Sequence, residues 1–180
     1  MDSILNPSNY SFNIYAVFPL IAGIFVLFLG FFVLSKKPGS IVNRSYFIFN
    51  LSIGIYQLGE GLQFSAIDED VANRIFRYIS MSGATYVTIN GYFFSLAMLD
   101  KIKGRRRFVI AGYIFFSAAV FSMFFTDIII KGIHQTPWGN YGTAGRFAYI
   151  FIIPYIFYGL LVLKNFYYSY KASETSTKRL

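Results

Sequence analysis

The sequence predicts an all-α fold: a polytopic membrane helix bundle of five transmembrane helices, N-terminus outside and C-terminus inside. Three observations predict it. Of the 180 residues, 56% are hydrophobic and only 13% charged, too little polar surface for a soluble domain of this size. Apolar stretches of about twenty residues recur between short charged segments, the pattern of helical spans. The net charge of +8 sits in the connections between those stretches. Basic residues there report orientation in a bilayer before they report any partner, so nucleic acid is not expected. The chain has no cysteine, which excludes disulfides, thiolate metal sites and cysteine nucleophiles.

The predicted spans are 14–34, 46–67, 78–99, 108–130 and 147–163. Each is long enough at about 1.5 Å per residue to cross a core of roughly 30 Å, the last only just. The N-terminus, "MDSILNPSNYSFN", has no basic residue and so lacks the charged start of a cleavable signal. Basic anchors then alternate. One side holds Lys36, Lys37 and Arg44, then Lys101, Lys103, Arg105, Arg106 and Arg107, then Lys164, Lys171, Lys178 and Arg179. The other side holds Arg74, Arg77, Lys131 and Arg146. Twelve against four places the N-terminus out and the C-terminus in by the positive-inside rule. "KIKGRRR" also has the density of an anionic-lipid patch, beside its plainer reading as a topology anchor.

The second span opens after "SKKPGS" and carries Asn50, Gln57 and Glu60, whose spacing places them on one face. Glu60 falls about 21 Å along that span, beneath the outer boundary of the lipid core. Such a face turns toward other helices, because unpaired polar groups in hydrocarbon cost several kcal/mol. Gly54 and Gly61 are expected to let another backbone come close to it. Candidate counter-ions on its side are Arg74, Arg77, Lys131 and Arg146. Asp68-Glu69-Asp70 is expected to cap a helix that begins outside the lipid and runs into the third span. That span presents a stripe of Ser80, Ala84, Thr88, Gly91 and Ser95, with Asn90 beside it, suited to close helix contact.

The segment "HQTPWGNYGTAGR" between the fourth and fifth spans, with Gly139, Gly142 and Gly145, is expected to be an irregular outer loop. Trp138 and Tyr141 in it fit an aromatic belt. His134 is the only histidine, so it cannot build a zinc site alone; a solvated ring and a ligand or pH switch are both open. "NYS" at Asn9 is a formal glycosylation acceptor. No metalloprotease, phosphate-loop or kinase signature occurs, so no catalytic residue, metal or cofactor is predicted. No mid-membrane lysine is available to anchor retinal.

The order of "NRSYFIFNLSIGIYQLGEGLQF", "DEDVANRIFRYISMSGATYV" and "FFSLAML" with a basic turn resembles the N-terminal seven-helix membrane region of sensor histidine kinases, over about 41–180. Asn43, Phe47, Phe49, Ala72 and Arg77 occupy positions of that pattern. Tyr56 stands where a tryptophan is common, and the proline common in the third span is missing. The resemblance implies a single sensor-like membrane domain over 1–180, incomplete at its C-terminus, with two further helices and a cytoplasmic kinase or cyclase domain to follow in cis. It implies an input domain of a two-component system in the plasma membrane, with the lipid bilayer as solvent and a homodimer as candidate assembly. Glu60, Gln57, Asn90, His134 and Trp138 are then the ligand-sensing candidates. The rival reading is a small channel, a transporter subunit or an assembly partner lined by the same polar residues. No inverted repeat or paired helix breaks favour a transporter.

Overall fold

The computed structural model describes residues 4–177, with side chains to Lys171; Asp2, Lys178 and Arg179 lie outside the described residues. The chain is mostly helical: α1 (Ile14–Lys36), α2 (Ile41–Ser65), α3 (Glu69–Ile75), a π-helical turn (Phe76–Ser80), α4 (Met81–Met98), α5 (Ile102–Phe125) and α6 (Ala148–Thr177). Between α5 and α6 stands an antiparallel hairpin, β1 (Ile130–Thr136) and β2 (Gly139–Ala144). The all-α expectation is therefore corrected by one two-stranded element, and the irregular outer loop is a paired hairpin. The glycines mislead because they serve packing. A Cβ on Gly142 would collide with the Phe76 ring, and one on Gly145 would lie 2.6 Å from the Asp127 carbonyl. Only Gly139, beside the two-residue turn, needs glycine for its backbone, at φ +135°.

α1 is capped by Asn13, whose side chain accepts from the Tyr15 N–H, and it packs along α2 through Gly23 and Gly30. Ser40 caps α2. Asp68 caps α3 by accepting from the Val71 N–H at 2.9 Å, with Glu69 and Asp70 in the first turn. The helix begun there continues through the π turn into α4, as the acidic start predicts. α4 ends in a Schellman turn: the Lys101 N–H reaches the Leu96 carbonyl at 2.9 Å and Asp100 takes φ 53°. α5 starts six residues before the predicted span, so Lys103 and Arg105–Arg107 form its first turns. It ends at Phe125 rather than 130. Thr126 is extended there, and of the remaining apolar residues Ile128 and Ile129 form a bend that leads into β1 at Ile130.

Three helices, α1, α5 and α6, are long and apolar enough to cross a membrane. α2 and α4 fall short of that standard because polar and small side chains occupy their buried faces: Asn50, Ser52 and Gln63 on α2, Thr85, Asn90 and Ser95 on α4. The outer faces are the reverse of a soluble fold. Phe18, Ile24 and Phe28 on α1, Ile114 and Phe121 on α5, and Ile153 and Leu163 on α6 are all exposed. A continuous apolar exterior of this kind is what lipid covers. At about 45 Å, the 30-residue α6 outruns a bilayer core, and its predicted end at 163 is passed by more than three turns.

α4 is central, packed on α2, α5 and α6. Gly83 faces the α2 backbone, where a Cβ would lie 2.6 Å from the Ser52 carbonyl oxygen, and Gly59 lies equally close to the Ser80 backbone. Small residues thus bring α2 and the α3–α4 rod to backbone contact. Gly54 and Gly61 do not do this. They face Leu27 and Leu20 of α1, with the Ala16 carbonyl 3.1 Å from a Cβ on Gly61, because they lie on the face of α2 opposite Gly59. The main apolar core sits between α4, α5 and α6, with Ile89, Leu96, Phe116, Met123 and Tyr158 buried. The bundle has two distinct ends. At one lie the α1–α2 turn, the α4–α5 turn and the distal part of α6, where Asn165 donates to Ser95. Lys36, Lys37, Lys101, Lys103 and Arg105–Arg107 are gathered there, and all of them are exposed. At the other end lies the hairpin.

Candidate functional site

At the hairpin end, α2, α4, α6 and β2 enclose a cavity of about 400 Å³. From α2 come Tyr56, Gln57 and Glu60; α4 supplies Met81, Ala84 and Val87; Tyr155 of α6 stands across from them, and Phe76 and Tyr141 complete the wall. The spacing that places Gln57 and Glu60 on one helix face brings both into the cavity. The Glu60 carboxylate accepts from the Tyr56 hydroxyl at 3.1 Å, one turn back. Asn50 leaves the shared face: it lies against Gly30 of α1 and donates to the Tyr46 carbonyl at 2.9 Å.

The predicted counter-ions resolve in part. Arg77 is committed elsewhere. Its guanidinium pairs with Asp127 and donates to the carbonyls of Met123, Thr126 and Ile130 at 3.0–3.2 Å. It thereby satisfies the carbonyl end of α5. Arg146 lies over the Phe147 ring, 5.7 Å from its centre. Among the described residues, no basic side chain lines the cavity.

No protein-family model, curated protein or solved structure matches the chain. The geometry of the site therefore carries the functional argument.

Asn90, His134 and Trp138 lie outside the cavity. Asn90 is buried deeper in the bundle, where its amide donates to the Ser52 hydroxyl at 2.6 Å and accepts from Tyr113. It joins α2, α4 and α5, and every part of its side chain is used. His134 sits exposed on β1, its Nδ1 3.1 Å from the Thr143 hydroxyl on β2 and its ring across from Tyr141. Trp138, in the hairpin turn, is half exposed, and its carbonyl accepts from Asn13 at 3.0 Å.

The sequence gives no hint of what seats the hairpin. Gln63, at the end of α2, donates to the Asn140 carbonyl at 2.9 Å, and the Asn140 side chain donates to the Ala66 carbonyl at 2.8 Å. Asn13 adds a bond to the Phe64 carbonyl at 2.8 Å. Gln63 and Asn140 are both buried. The two amides tie β2 to the end of α2: Gln63 donates to a β2 carbonyl, and Asn140 donates to the Ala66 carbonyl that the helix end leaves open. Gln63 follows Glu60 at a spacing of three; that periodicity could have placed it on the same face of α2, but not against the hairpin.

The α4 stripe is divided between two neighbours. Ser80 meets Gly59 of α2 and Gly91 lies between Phe49 of α2 and Val162 of α6, whereas Thr88 approaches Gly159 and Ser95 accepts from Asn165, both on α6. Ala84, between them, is the stripe residue left facing the cavity.

Proposed function

We propose that the chain is a membrane-embedded sensory input domain, of the kind its resemblance to sensor histidine kinases implies. In this reading it crosses the plasma membrane five times, α2 and α4 joining the three apolar helices. The hairpin end is outside, and the basic end faces the cytoplasm under the positive-inside rule. One observation carries the reading: Glu60 and Gln57 face an open cavity, where helix–helix contacts alone would have consumed them. An intramembrane carboxyl is costly, and such groups are rare and often mark functional sites. An external or membrane-dissolved signal in the cavity would touch α2, α4, α6 and the hairpin together. Binding one helix packing better than another shifts the balance between them. α6, which packs on α4 and projects past the core, would carry that shift to a kinase or cyclase domain in cis.

Deleting the gene in its host and restoring it as wild type, Glu60→Gln or Gln57→Ala tests the reading. Wild type is expected to restore the transcription profile. Each variant, at equal membrane abundance, is expected to leave the profile near that of the deletion strain. Variants indistinguishable from wild type contradict the reading. Ion flux in vesicles reconstituted with the wild-type chain would instead support the channel.

A further inference from the structure

We infer that the cavity beside Glu60 binds a small organic cation, an ammonium or quaternary ammonium group carrying an apolar arm. The inference rests on the sensory reading above and names its ligand class. Charge is the first argument. The chain carries a net charge of +8, yet the cavity wall has one carboxylate and, among the described residues, no basic group. The described polar partner of that carboxylate is a neutral hydroxyl, Tyr56 at 3.1 Å, which solvates the charge without balancing it. A carboxyl shielded from water either keeps its proton or is balanced by a counter-charge nearby, and a bound cation supplies that balance. Arg77 is spent on Asp127 and on the end of α5.

The second argument is aromatic. Tyr56, Tyr141, Tyr155 and Phe76 line the same cavity as Glu60. Ring faces attract cations, and quaternary ammonium groups are characteristically held among several rings. Met81, Ala84 and Val87 form an apolar floor on α4 for the remainder of the molecule. The volume, about 400 Å³, falls within the roughly 300–1,000 Å³ of small-molecule sites. A bare divalent metal ion would need several oxygen ligands and would meet one carboxylate here. An anion would need cationic donors, and the wall has none.

The test uses the whole chain purified in an uncharged maltoside detergent, so that no lipid headgroup competes. Benzyltrimethylammonium, choline and 3,3-dimethylbutan-1-ol, the uncharged isostere of choline, are titrated by calorimetry. Both cations are expected to bind saturably, and the alcohol at least tenfold more weakly than choline. Glu60→Gln is expected to weaken both cations at least tenfold. Tyr141→Ala, a change on the exposed hairpin that leaves the helices alone, is expected to weaken them at least threefold. Absence of saturable cation binding to wild type, equal binding of choline and the alcohol, or unchanged binding in both variants would overturn the inference. Should cations fail to bind while Glu60→Gln still abolishes the host response, the sensory reading stands and the cation class falls. Should they bind while the host response ignores Glu60→Gln, the cation site stands and the sensory reading falls.

Discussion

Asn140 is the residue on which the seat of the hairpin depends. Its side chain is buried and donates to the Ala66 carbonyl at the end of α2. Alanine there leaves a buried acceptor unpaired, a cost of about 1–3 kcal/mol. The loss falls on the hairpin rather than on the bundle, whose core lies between α4, α5 and α6. Hydrogen exchange on Asn140→Ala should therefore show faster exchange in residues 130–144 with the α4 and α5 amides unchanged; equal protection throughout would contradict this seat. Arg77 makes a second residue-scale case. Its side chain is only 11% exposed and holds three carbonyls, whereas that of Asp127 is 73% exposed. Lysine has no planar fork with which to hold several acceptors at once. Arg77→Lys should thus lower stability by about 2–4 kcal/mol and Asp127→Asn by less than about 1 kcal/mol, compared by thermal unfolding in detergent. Equal losses would mean that the ion pair, not the cap on α5, is what matters.

At the scale of elements, backbone contact between α2 and α4 fixes where Glu60 sits. Gly83 makes that contact possible, since any Cβ would press on the Ser52 carbonyl and the Tyr56 N–H. A backbone cannot give way as a flexible side chain can. Gly83→Ala should cost about 1–3 kcal/mol through overpacking, whereas Gly104→Ala, where a Cβ meets nothing within 4 Å, should leave the melting temperature where it is or raise it slightly. Elements also mark where sequence reading succeeds. α1, α5 and α6 are legible because their outward faces are apolar, and Asp68 announces α3 because an acidic cap is a local device. The hairpin is missed for a long-range reason. Gly142 and Gly145 read as loop residues, but they are small because Phe76 and the Asp127 carbonyl press against them. The end of α5 is missed likewise, because Arg77, 46 residues before Met123 and 49 before Thr126, takes up their carbonyls. In the candidate site, periodicity along α2 is enough to bring Gln57 and Glu60 together. It cannot bring Tyr155 or Tyr141 to them, since that depends on how α6 and the hairpin dock. Nor does it show that Asn90 bonds Ser52 and Tyr113 inside the bundle, or that His134 pairs with Thr143 and Tyr141 across the hairpin.

For the whole molecule, the inverted distribution of polarity ties the parts together. Polar and small residues of α2 and α4 are buried, aromatic and aliphatic residues face outward, and one end of the bundle is basic while the other carries the hairpin. The cavity lies at the hairpin end, with Tyr141 and Gly142 of β2 in its wall. The sensory reading therefore depends on that end lying outside the cell, and orientation is its most exposed premise. Because the chain has no cysteine, single cysteines can report orientation without background. Gln135, exposed on β1, and Gly104, exposed at the start of α5, stand at opposite ends. Labelling Gln135→Cys and Gly104→Cys with a membrane-impermeant maleimide, in intact and permeabilised cells, is the most direct measurement. The account predicts that Gln135→Cys is labelled in intact cells and Gly104→Cys only after permeabilisation. The reverse pattern, or labelling of both in intact cells, would contradict it.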